Sequence, residues 1–261
     1  MSEKRKVKAK VLSQKMIAPD IYDMWLSTEL AGEAGAGQFI GVYTKDASRL
    51  LPRPISICQA DKEKGAIRIV YRTAGAGTEE FSGWQPGDTA DILGILGNGF
   101  PVDRAVGKRV VLMGGGIGIP PMVQLAAELA GAGTEPVIIA GYRDSILFLK
   151  EDLEKFGKVL AATEDGSAGT KGNVLNVMED KHVEADIIMA CGPMPMLRAI
   201  KSYAAKKQIT AYLSLEERMA CGVGACLGCV CRTVHKDHHS HVNNARICTD
   251  GPVFDAGEVD I

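Results

Sequence analysis

No stretch of this sequence approaches the ~20 consecutive apolar residues that a membrane-crossing helix needs, so no membrane span is expected. The first residues, Met1-Ser2-Glu3-Lys4-Arg5-Lys6, are charged, and no apolar run of leader length follows them. Basic charge is not in excess. The formal net charge is −2, which gives no field for nucleic acid. There is no internal repeat and no low-complexity tract. The nearest to one is His235-Lys236-Asp237-His238-His239-Ser240-His241, which reads as a polar loop. A disulfide framework is also disfavoured, because the seven cysteines come without an export signal and five of them fall between Cys221 and Cys248. Clustered cysteines in a reducing compartment point to metal binding or redox chemistry, and a cytoplasmic location is the expectation.

What is present is enough material for real cores. The chain has 261 residues, 46% of them apolar, which allows about two domains and a small third. Thirty glycines come in clusters, as tight turns and close approach of backbone to a ligand require. Residues 1–103 read as all-β. Val7–Leu12, Ile21–Leu26, Phe39–Tyr43, Ile55–Cys58 and Ile67–Tyr71 alternate apolar with polar residues, punctuated by Gly35-Ala36-Gly37, Gly75-Ala76-Gly77 and Pro86-Gly87-Asp88. Such spacing predicts an antiparallel barrel or sandwich. From residue 104 the pattern changes. Val110–Met113, Val137–Ala140, Val159–Ala162 and Ile187–Ala190 are short apolar runs separated by helix-like stretches, which predicts βαβ units and a parallel sheet over 104–210. Residues 211–261 hold few large apolar side chains and most of the cysteines. A piece that small needs a metal or cluster to hold it.

The cysteines of that last segment carry the sharpest signal. Cys221, Cys226 and Cys229 have C-x4-C-x2-C spacing, and Cys248 follows, which is the plant-type [2Fe–2S] arrangement. Two tetrahedral irons need four thiolates around a compact core. Gly222, Gly224, Ala225 and Gly228 are small enough to let the backbone wrap that core and turn N–H groups toward sulfur. The competing reading is a structural zinc site on Cys226, Cys229, Cys231 and a nearby histidine. Cys231 is either a substitute ligand or a bystander.

Two loops suggest a nucleotide. Gly114-Gly115-Gly116-Ile117-Gly118 precedes Pro120-Pro121 and a helical run, so glycines and a helix start stand where phosphates are held. Cys191-Gly192-Pro193 follows another buried strand and would lie at the same sheet edge. In the β segment, Arg53 with Gly75-Ala76-Gly77-Thr78 makes a candidate diphosphate site. A nicotinamide gives two electrons as hydride whereas a [2Fe–2S] cluster takes one, so the two together imply a flavin between them. Arg143 and Asp144 give opposing signals for a 2′-phosphate and leave NAD and NADP both open.

Arg53-Pro54-Ile55-Ser56-Ile57, Val70-Tyr71-Arg72 with Gly77-Thr78, Gly97-Asn98-Gly99-Phe100, the Gly114–Gly118 and Cys191–Pro193 loops, Glu217-Arg218-Met219-Ala220-Cys221-Gly222, and Cys248 before Gly251-Pro252-Val253-Phe254 together resemble the ferredoxin-reductase-like flavoproteins. More closely, the chain is similar to the electron-transfer subunits of NAD-dependent (type B) dihydroorotate dehydrogenase. The resemblance implies an FAD-binding barrel over 1–103, an NAD-binding α/β domain over 104–210 and a small [2Fe–2S] domain over 211–261. It implies FAD contacts at Arg53, Pro54, Ile55, Ser56, Val70, Tyr71, Arg72, Gly77 and Thr78, and nucleotide contacts at Gly114, Gly115, Gly116, Gly118, Cys191, Gly192 and Pro193. The implied cluster ligands are Cys221, Cys226, Cys229 and Cys248. It further implies an FMN-containing catalytic partner in a 2+2 heterotetramer, NAD(H) as the other reactant, and a place in pyrimidine (UMP) synthesis. The rival within the superfamily is a reductase subunit of another complex, such as a ferredoxin:NADP oxidoreductase, hydrogenase or sulfide reductase. The bifurcating transhydrogenase small subunit resembles these but carries Asp at the first ligand position, where this chain has Cys221.

Overall fold

The computed structural model describes residues 4–236 and 241–261. Most of the polar histidine run lies at residues 237–240, outside the described residues. The first part of the chain closes a six-stranded antiparallel barrel. Its strands are β1 (Arg5–Ala18), β2 (Ile21–Ser27), β3 (Phe39–Val42), β4 (Arg53–Asp61), β5 (Ala66–Arg72) and β6 (Thr89–Leu96), in the order β1-β2-β5-β4-β3-β6. Period-two alternation sets the faces: Ile67, Ile69 and Tyr71 fill the barrel, while Val70 lies in a second core outside it. The strand pattern of the sequence did not mark β6. Ala90, Ile92 and Ile95 point into the barrel, and Leu93 and Leu96 point outward into another core, so both faces are apolar. The short helix α1 (Ala76–Ser82) buries Phe81 against Tyr71, ring centroids 6.0 Å apart, and against Trp84 at 4.7 Å.

The second part is a doubly wound sheet. Its parallel strands are β7 (Val110–Gly115), β8 (Val137–Tyr142), β9 (Lys158–Thr163), β10 (Thr170–Lys171), β11 (Ile187–Cys191) and β12 (Thr210–Ser214). Between them run α2 (Pro120–Gly131), α3 (Lys150–Glu154), α4 (Val174–Asp180) and α5 (Met194–Lys207). Pro120 and Pro121 open α2, where a missing N–H costs least. Asn173 and Asn176 form a reciprocal capping box at the start of α4. The chain winds outward from β7 through β8 and β9 to β10, then returns to place β11 on the other side of β7. The reversal of direction therefore falls between β7 and β11.

The last part contains a small hairpin, β13 (Val230–Arg232) with β14 (Asn244–Arg246), and then β15 (Val253–Asp255), which pairs antiparallel with β12 at the edge of the sheet. The cysteines are not all that holds this segment. Ile247, Phe254 and Val259 share one buried core with Phe39, Leu93 and Leu96 of the barrel and with Val111, Ile188 and Leu213 of the sheet. Each such large side chain contributes about 1.5–3 kcal/mol when fully buried.

Barrel and sheet also meet through charge. Arg68 on β5 is buried and donates to both oxygens of Asp23 on β2 (2.9 and 2.8 Å) and to Asp152 on α3 (3.1 Å). Burial works to raise the Asp152 carboxyl, but hydrogen bonds and charge from Arg68 and Lys155 outweigh it and hold the group below 3.8. A depressed carboxylate adds stability above its unfolded value and loses it as pH falls through its folded value. Asp152→Asn is therefore expected to cost about 1–2 kcal/mol near neutral pH, because Arg68 keeps one of its two partners. Denaturant midpoints should show that difference unchanged down to about pH 5 and shrinking only below the ordinary Asp value near 3.8. A difference that grew on acidification would contradict this assignment.

Candidate functional site

The barrel wall opens where the sequence places Arg53–Ser56 and Val70–Arg72. The pairing of β4 with β5 runs from Asp61↔Ala66 to Ile57↔Ile69 and stops there. Beyond it, Arg53–Ser56 pair only with β3 and Val70–Arg72 only with β2, so among the described residues the two strand ends turn unpaired edges toward one another. The Tyr71 ring is inside the barrel, its hydroxyl bonded to Gln14 (2.9 Å), which leaves its backbone beside the split. Arg53 lies directly against Gly77. A Cβ there would meet its Nε at 2.3 Å, so glycine is what admits the guanidinium. Thr78 closes the turn before α1, its hydroxyl accepting from Ala74 N–H (2.8 Å) and donating to the Gly75 carbonyl (3.0 Å). No carboxylate among the described residues pairs with Arg53 or Arg72. Two uncompensated cations beside a glycine turn and a split sheet edge fit a planar ring system carrying a diphosphate.

The switch between β7 and β11 brings the other two loops together. Cys191 is the register partner of Gly114. A Cβ on Gly118 would fall 2.3 Å from the Cys191 carbonyl oxygen, and one on Gly115 would fall 2.6 Å from Met196 Sδ. These glycines are thus required first by the packing of one loop on the other. Gly114 and Gly115 end the strand, and Gly116–Gly118 form a 3-10 turn in which Gly116 has φ +54°. Arg72 reaches this turn from the barrel, 3.9 Å from where a Gly116 Cβ would stand. Cys191 is a protonated thiol, pushed up to about 12 by burial and, secondarily, by the charge of Glu216, although Ser214 bonds to it. Crevices at such a switch point are where open α/β sheets bind ligands, and these glycines keep one clear of side chains.

The four predicted cluster cysteines stand as two pairs. Cys221 and Cys226 are within hydrogen-bonding reach of each other, as are Cys229 and Cys248, and Cys248 also feels the charge of Cys221. Cys221 Sγ accepts N–H groups from Val223 (3.4 Å), Ala225 (3.3 Å) and Cys226 (3.4 Å), and Cys226 Sγ accepts from Gly228 (3.4 Å). Burial opposes the Cys221 thiolate, but these donors outweigh it and bring the thiol down to about 6. Burial and the neighbouring Cys229 push Cys248 up to about 11. Gly222 and Gly224 hold the wrap with φ of +68° and +84°. Among the described residues no three Cys, His, Asp or Glu side chains close on one point as a single metal ion requires. Two thiol pairs with N–H groups aimed at sulfur instead fit two irons. Cys231 lies on β13 with its thiol against the shared core.

Sequence reasoning gave no role to the side chains that brace this loop. Arg246 donates to both carboxylate oxygens of Asp250 (3.0 Å each) and to the Gly224 carbonyl (3.4 Å), joining the two ligand-bearing stretches. Asn98 donates to the carbonyls of Thr249 (3.0 Å) and Asp250 (3.1 Å), and its N–H to Gly251 (2.7 Å), which ties the end of β6 to the Cys248 turn. A lone Arg or Asn carries no such signal by itself; only the resemblance pointed to Asn98.

Comparison with known proteins bears on these same parts. Residues 216–260 match the iron-sulfur cluster binding domain of dihydroorotate dehydrogenase B, and residues 112–202 match the oxidoreductase NAD-binding domain. A protein of Bacillus caldolyticus is 45% identical over 253 residues, covering 95% of this chain and 96% of the relative; one of Lysinibacillus sphaericus is 40% identical over 258 residues, covering 98% of each. Both are named dihydroorotate dehydrogenase B (NAD(+)), electron transfer subunit. This chain belongs to that family. Membership makes it an oxidoreductase subunit that works with a catalytic partner. Among solved structures, the NADH-dependent reduced ferredoxin-NADP oxidoreductase superposes with a TM-score of 0.84 at 28% identity, over 97% of this chain and 89% of the other. No helix among the described residues is long and apolar enough to cross a membrane.

Proposed function

We propose that this chain links an FMN-containing subunit, which oxidises dihydroorotate to orotate in pyrimidine (UMP) synthesis, to NAD+. The observation that carries the reading is the thiol quartet in two pairs, of which Cys229 and Cys248 lie in the core shared with the barrel and the nucleotide sheet. Cys221, Cys226, Cys229 and Cys248 hold the [2Fe–2S] cluster. Arg53 and the Gly75–Thr78 turn hold the FAD diphosphate, and the facing edges of Pro54–Ser56 and Val70–Arg72 hold its ring. The Gly114–Gly118 and Cys191–Pro193 loops hold NAD. When bound, the cluster supplies one-electron transfer and the flavin supplies conversion between single electrons and hydride. The parts divide as 1–103, 104–210 and 211–261, with β12 and β15 joining the third to the second. NAD rather than NADP is supported by the names of the relatives. The assembly is two copies of each subunit, in the cytoplasm, without nucleic acid or membrane.

The chain's own residues do three things here. Arg53 and Arg72 offset phosphate charge, the glycine loops keep side chains out of the nucleotide crevice, and backbone N–H groups stabilise charge on sulfur. Arg53→Met removes a charge-assisted contact of about 1.5–3 kcal/mol, so FAD affinity should fall roughly ten- to hundredfold. Titration of the deflavinated protein with FAD measures this, and an unchanged affinity would move the diphosphate elsewhere. The division of labour is tested on the isolated chain with its cofactors. It should oxidise NADH with an artificial acceptor and leave dihydroorotate untouched; turnover of dihydroorotate without the FMN subunit would defeat the reading.

A further inference from the structure

The buried face of α2, with Met122, Val123, Leu125 and Ala126, shares one core with Cys58 and Val70 on the outer barrel wall and with Leu112 and Ile138 of the sheet. Such contacts are non-directional and do not by themselves fix how far the helix slides along the wall. Set into the same face is a polar pair. Gln124, 6% exposed, accepts the Ala60 N–H of β4 through Oε1 (2.8 Å) and donates through Nε2 to Glu128 (2.8 Å). The same Glu128 oxygen accepts the N–H of Ala36 (2.9 Å), just before β3. Ala36 is itself buried, and its carbonyl accepts from Phe100 in the linker between barrel and sheet (2.9 Å). Buried hydrogen bonds are directional, and leaving any of these groups unpaired is costly.

The placement of this pair is what matters. Gln124 lies about one turn beyond the head of α2, where the Gly116–Gly118 loop enters the helix. Ala60 lies on the strand whose other end forms one lip of the β4–β5 split. We propose that Gln124, acting with Glu128, is a positioning residue for hydride exchange: it pins α2 to β4 and so sets the nucleotide loop against the flavin cleft. The proposal rests on the site reading given above. With FAD bound, the exchange would move one hydride, a proton with two electrons, from NADH, which leaves as NAD+, to the oxidised flavin, so that no other reactant would be needed. Misplacing reacting atoms by about 1 Å costs roughly a hundredfold in rate.

The test uses the intact complex with Gln124→Met, which keeps the length of the side chain and loses its hydrogen bonds. The limiting rate of flavin bleaching by saturating NADH should fall roughly tenfold while the NADH dissociation constant stays within about twofold. Amide hydrogen exchange should quicken at Ala36 and Ala60. Glu128→Gln, which can still accept both N–H groups, should stay within about twofold of wild type in rate. Should Gln124→Met not fold, Gln124→Asn, polar but one methylene short, is read the same way. A wild-type limiting rate in the Gln124 variant, or a change confined to NADH affinity, overturns the positioning role. If NADH fails to bleach the flavin of the wild-type complex, the site reading itself has failed and the proposal falls with it.

Discussion

Cys226→Ser should lower dihydroorotate-dependent NAD+ reduction by the complex at least about a hundredfold, ~2.7 kcal/mol at the barrier, while NADH oxidation with an artificial acceptor stays within about twofold. Cys226 is the informative choice because it is exposed, whereas Cys229 and Cys248 are buried in the shared core. Its replacement removes one corner of a four-thiolate set without opening a cavity. The NADH-to-acceptor half of the chain depends on the barrel split and the switch-point loops, to neither of which Cys226 belongs. Loss in one assay and persistence in the other would locate the cluster between the partner subunit and the flavin. Cys231→Ser is the matching control. Cys231 packs against the shared core and is not one of the thiols paired with Cys221 or Cys248, so iron content and both activities should be retained. Iron loss in Cys231→Ser with retention in Cys226→Ser would reassign the ligand set.

Gly118→Ala should raise the KM for NADH more than about tenfold and destabilise the protein by about 1–3 kcal/mol. The new Cβ would stand 2.3 Å from the Cys191 carbonyl oxygen, 2.5 Å from its carbon and 2.6 Å from the Gly192 nitrogen. All three are backbone atoms of the neighbouring loop, so relief requires the two loops to part, and the nucleotide crevice is made of those loops. Flavin and iron content should be unchanged, since the atoms that the new Cβ meets belong neither to the barrel strands nor to the four cluster cysteines. Gly131→Ala is the control: nothing stands within 4 Å of its would-be Cβ, and the substitution should be neutral or slightly stabilising in a helix end. Steady-state kinetics with an artificial acceptor separates the two variants. An unaltered KM in Gly118→Ala would mean that NAD binds away from the switch point.

Much of this was legible in the sequence because the relevant signals are local. The C-x4-C-x2-C run, the glycine-rich strand-to-helix loop and the alternating strands each lie within about a dozen residues, the range over which periodicity and spacing speak. What the sequence hid was long-range. β6 is apolar on both faces because the cluster segment covers its outer side, and alternation fails there. β15 is three residues long, too short to announce a strand, yet it extends the sheet and anchors the last segment. Gly115 and Gly118 read as phosphate glycines, but their first duty is to let two loops touch. Tyr71 reads as a ligand residue, yet its ring belongs to the barrel core and its backbone is what borders the cleft. Gln124 carries no signal of its own in the sequence; only its partner on β4 gives it meaning.

In the proposed function electrons run without a break from dihydroorotate to NAD+ through this chain. The visible spectrum of the anaerobic complex of this chain with its FMN subunit, recorded before and after dihydroorotate and again after NAD+, follows that path. Dihydroorotate should bleach both flavin and iron–sulfur bands, and NAD+ should restore them. Bleaching by NADH but not by dihydroorotate would contradict the assignment of the partner, and a colourless protein would contradict the account from the cluster onward.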